Sequence, residues 1–499
     1  MRAPSCCRAS LAAFLGLASS LIAVAAGRAE GAKLLVGAAT VNITPDRPVP
    51  LAGQFHTRIA RKADNPLTAT ALAIEARDAA DKPLDHAILV SCDLVAIREG
   101  VQDRCRAHLK DRLPGFDLRK LFLAATHTHT APEMTEGRYL LPDEGVMKPT
   151  EYVEFLCERL ADCIVRAWEA RKPGGVSWAL GHAVVGHNRR PVYANGSARL
   201  YGNTNAPDFR ALEGYEDHGV EMLFFWDPEG RPAALALSLA CTAQEVEHLS
   251  TINADFWHDV RELLRAKHGP DLRVLGFCDA AGDQSPHLLY RKAAEERMRT
   301  LRGLTRTQEI ARRIVAAVED VWDLARRDIR SELPFAHTVA DIALPVRKVT
   351  EHELARYKAQ HETLAAKANR TSAEDMHMKR AKAVIERFER QEAEPNYAME
   401  LHVLRIGDVA IATNPFELYL DYGIQIKARS RAVQTMIIQL ACNSGGYLPT
   451  EKAVRGGSYS AEVVSNRVGP QGGQALVERT IETINALWPP LTPSDRGPR

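Results

Sequence analysis

The sequence predicts a mixed α/β domain built in layers, and three observations carry that prediction. Between residues 34 and 290, short strand-like apolar runs alternate with helical segments, the order expected of sheets covered by helices. The run "HAILVSCDLVAI" (86–97) is apolar almost throughout, as for a strand buried on both faces. A stretch dense in Glu, Lys, Arg and Ala, residues 351–395, interrupts the pattern and predicts a charged helical hairpin projecting from the body.

In chain order, Arg2 and Arg8 precede the apolar "LAAFLGLASSLIAVAA" and the small residues of "AVAAGRAEG". A charged start, an apolar centre and an Ala-x-Ala-like exit predict a signal segment over residues 1–29, and hence a secreted or periplasmic protein. "KLLVGAATVNI" and "TATALAIEA" read as strands, followed by the 86–97 run and a helix over 98–112. "LFLAAT" is the next buried strand, and 150–171 has helical amphipathic spacing. "GVEMLFFW", "AALALSLAC" and "LRVLGFCDA" are further strands, with helices near 255–268 and 305–328. In the hairpin, "NRTSAED" separates two helices and offers Thr371 or Ser372 as a cap. Strands resume at "YAMELHVLRIG" and "VAIATN", a helix is expected over 416–430, and "MIIQLACN" follows. "GGQALVERTIETINALW" closes a catalytic-size unit spanning 30–490, and residues 491–499 read as a disordered tail.

Hydrophobic residues make up 45% and charged residues 25% of the 499, enough to bury a large core. Lys and Arg number 64 against 63 Asp and Glu, so nothing in the charge calls for nucleic acid. Beyond Cys6 and Cys7, the cysteines are scattered and odd in number with no CxxC pair. That is neither a disulfide framework nor a cysteine-based zinc site.

Four stretches can do chemistry. "LFLAATHTHTAPEM" ends an apolar strand on His127 and His129. Residues i and i+2 of a strand share a face, so the two imidazoles are expected side by side, either as a metal site or as hydrogen-bonded surface groups. "GFCDAAGDQSPH" presents Ser285 after a tight turn, without the Gly-x-Ser-x-Gly of a nucleophile elbow; a Ser-Pro turn capped by Asp283 accounts for it equally. Glu417 in "ATNPFELYLDYG" is expected to open a helix, as a dipole partner or a ligand. "GGYLPTEKAVRGGSY" sets Tyr447 and Tyr459 among glycines, which suit close backbone approach or an ordinary loop.

Together and in this order these stretches resemble the neutral (non-lysosomal) ceramidases. "ATHTHTAP" is similar to that family's Thr-His-Thr-His-Ser-Gly-Pro, "GDQSP" to its Gly-Asp-x-Ser-Pro and "NPFE" to its Pro-Gly-Glu-Phe. The spacing of Tyr447 and Tyr459 matches two functional tyrosines of the family, "HNRRP" (187–191) resembles its Asn-Arg-Ser-Pro, and "GAATVNITP" its opening strand. The resemblance spans roughly residues 35–490.

It implies hydrolysis of the amide bond of ceramide, a sphingolipid, or of a related N-acyl amide, with a bound Zn2+. It implies His127, Glu417 and Tyr447 as zinc ligands and His129 as a hydrogen-bond donor to substrate or oxyanion. Ser285 takes the position of the proposed nucleophile, and Arg189 and Tyr459 face the polar part of the substrate. Zinc with an open position activates water at neutral pH, so either Ser285 or water attacks. A lipid substrate implies transient contact with a membrane surface. Two departures qualify this. The family's second histidine ligand falls on Thr242, leaving His258 or His248 to complete the metal shell. Tyr459 also lies near the end of the chain, implying a member without the family's C-terminal β-sandwich. Two other readings follow: a hydrolase of a non-lipid amide or ester, and an inactive binding protein.

Overall fold

A computed structural model describes residues 31–142 and 144–489. The signal segment and the C-terminal tail expected from the sequence lie outside the described residues.

Strands β1 (Ala32–Asn42), β2 (Thr68–Arg77), β3 (Pro83–Cys92), β4 (Leu121–Ala125) and β5 (Lys172–His182) belong to one large sheet. Two-residue β6 (His187–Asn188) leaves it; β7 (Gly219–Trp226), β8 (Pro232–Leu239) and β9 (Arg273–Cys278) return to it. The order is β9-β8-β7-β5-β1-β2-β3-β4, with Glu332–Leu333 added beside β1. Its interior pairs are antiparallel; its two outermost pairs, β3/β4 and β8/β9, are parallel. A short ladder joins β6 to β10 (Gln284–Ser285). A second sheet has the order of β11 (Phe335–Pro345), β12 (Asn396–Ile406), β13 (Val409–Thr413) and, past the three-residue β14 (Phe416–Leu418), β15 (Gln434–Ile438). Its last pair, β13/β15, is parallel. β14 pairs in parallel with β16 (Gly446–Leu448).

The alternation of side chains along each strand decides the layers. On β2, Ala69, Ala71 and Ala73 face one core, while Leu72, Ile74 and Ala76 face another. That second core is shared with Leu404 and Ile406 of β12, Ile411 of β13 and Met436 of β15, so the two sheets pack face to face. The large sheet's outer face is covered at one half by α1 (Val101–Leu109) and α2 (Pro149–Glu169). The other half is covered by α3 (Phe256–His268) and, past α4 (Lys292–Leu301), by α5 (Arg306–Arg327). The result is a helix–sheet–sheet–helix sandwich, the layered α/β class the sequence predicts.

The charged stretch forms α6 (Glu351–Ala365) and α7 (Ser372–Arg390), with Thr371 as the N-cap of α7 in a reciprocal bond with Glu374. It does not simply project into solvent. A small core of Val349, Tyr357, Ala381, Val384 and Val463 docks it on the body, and Arg387 donates to the carbonyls of Val463 and Asn466. On the outside of the second sheet lie α8 (Leu420–Arg429) and α9 (Pro470–Ala486). The seven described cysteines are all free, and six of them are buried. No described helix is long and apolar enough to cross a membrane.

Candidate active site

The chemistry-bearing stretches follow the C-terminal ends of parallel strand pairs. His127 and His129 come after β4, residues 242–247 after β8, Ser285 after β9, Glu417 after β13 and Tyr447 after β15. Two tethers hold these ends together. Cys442 N donates to Leu123 O (2.9 Å), joining the loop after β15 to the edge of β4. Gly282 N donates to Leu418 O (2.7 Å); a Cβ at Gly282 would lie 2.3 Å from Glu417 O, so only glycine permits that approach.

The two histidines do not sit on a strand. β4 ends at Ala125, and His127 lies beyond it with φ of 70°, a conformation uncommon outside glycine. Its backbone N–H donates to Leu94 O (2.9 Å), which holds the turn. The imidazoles meet through that turn rather than through strand alternation, Nε2 to Nε2 at 3.2 Å. His127 Nδ1 lies 2.6 Å from Val95 O. A carbonyl only accepts, so Nδ1 carries the proton and Nε2 presents its lone pair. Burial and the neighbouring His129 push the His127 pKa well below the usual imidazole value.

Glu417 is not in a helix. It belongs to β14 and is the register partner of Tyr447 on β16, which sets the two side chains side by side. Its Oε2 lies 3.6 Å from His127 Nε2 and has no hydrogen-bond partner. Burial raises the Glu417 pKa, against the opposing pull of Tyr447 and Arg189. Burial, reinforced by Glu417, pushes the Tyr447 phenol well above its ordinary value.

Arg189 is buried beside them. It donates to Tyr201 OH (2.9 Å), Gln244 Oε1 (3.0 Å), Gly282 O (2.9 Å) and Tyr447 OH (3.4 Å). All are neutral, so among the described residues this interior cation has no carboxylate partner. Its neighbour Arg190 is by contrast paired with Glu213 at 2.6 Å. Ser285 Oγ accepts from Tyr201 OH and from His287 N, both at 3.1 Å. Asp283 does not cap the Ser-Pro turn: it accepts from Leu420 N at the start of α8 (2.9 Å) and from Asn188 Nδ2 (3.0 Å), and the turn is held by Ser285 Oγ accepting from His287 N. Tyr459 packs edge-on against Tyr447 (5.5 Å between centroids) and against Phe55 (5.3 Å).

A divalent cation fits this donor set. His127 Nε2 carries a lone pair and has His129 Nε2 at 3.2 Å, Glu417 Oε2 is an orphaned acceptor, and Tyr447 is alongside as the register partner of Glu417. Their 3.6 Å separation is close to the roughly 3.3–3.6 Å between ligands of a tetrahedral ion with bonds of about 2.0–2.2 Å. The histidines expected to complete the shell do not join it. His258 is half-buried on α3, on a different face from the packed Trp257 and Val260, and His248 is exposed. Asp255 caps α3 and accepts from Val246 N and Phe256 N.

What stands near the histidines is a network the sequence did not single out. Thr242 is buried and donates to Gln244 Oε1 (2.5 Å), which also accepts from Arg189. Gln244 Nε2 donates to Glu247 Oε2 (3.1 Å) and lies 3.4 Å from His129 Nε2. Glu247 Oε2 is 2.9 Å from His129 Nδ1 but off the line of a good hydrogen bond, so that contact is mainly electrostatic. Burial would raise the Glu247 pKa, but His129, His287 and Gln244 outweigh it and hold the carboxyl at about 2. The available signal was position: Gln244 and Glu247 follow Thr242 directly in "CTAQEVE". Tyr201 had no local signal.

A second cluster, Glu400, His402 and Cys442, also brings three possible donors within 4.8 Å of one another. There Arg106 binds both Glu400 oxygens at 2.7 Å, and His402 Nε2 takes one of them at 3.0 Å. The guanidinium already occupies the cation's place, so this cluster is a buried ion-pair network.

No protein-family model matches the sequence, and no curated protein matches it. Solved structures do. The chain is similar to the neutral ceramidase of Pseudomonas aeruginosa, with a TM-score of 0.66 at 17% identity, covering 91% of this chain and 74% of that one. It is likewise similar to a ceramidase complexed with C2, with a TM-score of 0.65 at 16% identity over 91% and 75% of the two chains. Across nine-tenths of its length, the chain therefore has the fold of neutral ceramidase.

Proposed function

We propose that this protein is an exported, zinc-dependent hydrolase that cleaves the amide bond of an N-acyl amide, with a ceramide-like sphingolipid as its reference substrate. The observation that carries the reading is the orphaned Glu417 Oε2 facing His127 Nε2, beside an interior Arg189 with no carboxylate partner. The shared fold supports it. In this reading residues 30–490 form the catalytic unit, residues 1–29 direct export, and lipid substrate is met at a membrane surface.

His127, Glu417 and Tyr447 would hold the zinc ion, which supplies Lewis-acid polarisation of the amide carbonyl and of a water molecule. The protein's own groups do the rest. The Val95 carbonyl fixes the tautomer of His127. Arg189 offers a preorganised positive charge to the developing oxyanion, and the Tyr459 hydroxyl is a second donor. His129, held between Gln244 and Glu247, donates to the substrate. Hydrolysis consumes one water and releases a carboxylic acid and an amine. Ser285 accepts two hydrogen bonds, and among the described residues no imidazole takes its proton; it positions Tyr201, and through Tyr201 it positions Arg189. Water is therefore the nucleophile in this reading.

The test is metal analysis of the purified mature protein together with fatty-acid release from a fluorescent N-acyl sphingosine and from a soluble N-acyl amide. About one zinc per chain and release from either substrate support the reading. Thr242, where a ligand histidine is expected, favours one alternative: a chain that binds neither metal nor turns over either amide is a binding protein.

A further inference from the structure

The outer side of this site has more positive charge than a neutral substrate needs. Arg380 of α7 stacks with its guanidinium carbon 5.4 Å from the Tyr459 ring and 5.3 Å from that of Phe55. Its polar contacts among the described residues are neutral, Ser465 Oγ (3.0 Å) and Val464 O (3.4 Å). Arg138 acts electrostatically on the same tyrosine. It shares the fully buried Glu133 with Arg98, at 3.2 and 3.4 Å. Arg189 has only neutral partners. Four arginines thus face two carboxylates, Glu133 and Glu417, while Glu247 is engaged with His129. The Tyr459 ring lies under Arg380, and its hydroxyl has no hydrogen-bond partner among the described residues.

Guanidinium groups seated on aromatic faces and short of counter-charge gain most from a carboxylate, which they bind by charge-assisted hydrogen bonds. A sphingoid base offers only hydroxyls at that place. Resting on the hydrolase reading above, we propose that the preferred substrate carries a carboxylate next to the scissile amide, as an N-acyl amino acid does, and that Arg380 of the hairpin, with Tyr459 and Arg138, reads it. The charged hairpin is then a specificity element of the site.

A matched pair tests this: N-lauroyl-serine and N-lauroyl-serinol, identical except for carboxylate against hydroxymethyl. With the full-length mature zinc-loaded protein, kcat/KM should favour the acid by about 10- to 100-fold, mainly through KM. Arg380→Gln should collapse the ratio towards unity, and Arg380→Lys, which keeps the charge, should restore part of it. Equal or better cleavage of the alcohol by the wild-type protein overturns the proposal, as does a preference that survives in both Arg380→Gln and Arg138→Gln. Calorimetric binding of the same two compounds separates the two readings. Tighter binding of the acid without turnover of either compound refutes the hydrolase and leaves carboxylate recognition standing. Equal binding refutes carboxylate recognition alone.

Discussion

His127 concentrates the site's demands in one residue: a left-handed backbone, a tautomer fixed by Val95 and a lone pair aimed at Glu417. Removing one donor from a three-residue set leaves the others unable to hold the ion. His127→Ala should therefore lose both zinc, by metal analysis, and amide hydrolysis; full metal occupancy in that variant would place the metal elsewhere. Ser285 makes the opposite prediction. If it only supports Tyr201, Ser285→Ala removes the acceptor of Tyr201 and of His287 N, and loss of the Tyr201 hydrogen bond costs about 1–3 kcal/mol or roughly 5- to 150-fold in turnover, with metal retained. A fall beyond about 10⁴-fold, or an acyl-serine adduct by mass spectrometry, would establish the serine as nucleophile. The types of these residues were legible in the sequence, but their conformations were not. Two histidines two apart after an apolar run look like one face of a strand, and nothing local announces that the strand stops at Ala125. Gln244 and Glu247 look like ordinary loop polarity until the fold brings Arg189 and His129 against them.

At the scale of elements, long periodic segments were readable and short ones were not. β2, β3, α2 and α5 announce themselves through spacing that is purely local. β14 is three residues long and pairs only with β16, some thirty positions later, so Glu417 reads as a helix start. β5 begins with Lys-Pro-Gly-Gly, which masks a strand, yet it joins the two halves of the large sheet. The hairpin's helices were legible from composition, but their docking through Arg380 and Arg387 is a long-range event that composition does not encode. The contact of the Gly282 loop with β14 yields a sharp prediction at this scale. A methyl group at Gly282 meets backbone atoms of Glu417 at 2.3 Å, and backbone cannot step aside as a side-chain tip can. Gly282→Ala should cost about 1–3 kcal/mol of stability by overpacking and should also lower zinc retention, because Glu417 is the residue displaced. Unchanged melting and metal content together would show that the two loops are not coupled.

For the whole molecule, the layered class followed from the order of apolar runs, because alternation within each strand leaves few ways to bury both faces. The interior also carries charge that no local pattern reveals. Lys427 of α8 is set among Asp217 (3.0 Å), Asp279 (3.0 Å) and Glu221 (3.3 Å). Burial pushes Glu221 up to about 7, with Asp279 adding to the rise and Lys427 opposing it. A carboxyl whose pKa is raised by folding contributes stability below its unfolded value of about 4.3, and loses that contribution as pH rises through the folded value. Glu221→Gln mimics the protonated form. Its melting temperature should match the wild type near pH 4 and exceed it increasingly up to about pH 7, where the difference levels off; a constant difference across that range would rule out the assignment. The seven free thiols among the described residues, six of them buried, have a last consequence. Burial raises the pKa of Cys105, Cys157, Cys163 and Cys278 above that of an ordinary thiol, and thiolate is the reactive form. An alkylating reagent therefore meets these sulfurs only when the chain opens around them. Because Cys92, Cys105, Cys157 and Cys163 lie in the core under α1 and α2, Cys241 in the core under α3 and α5, and Cys442 against the core between the sheets, mass-resolved alkylation would time how each core comes apart, with the protein serving as its own clock.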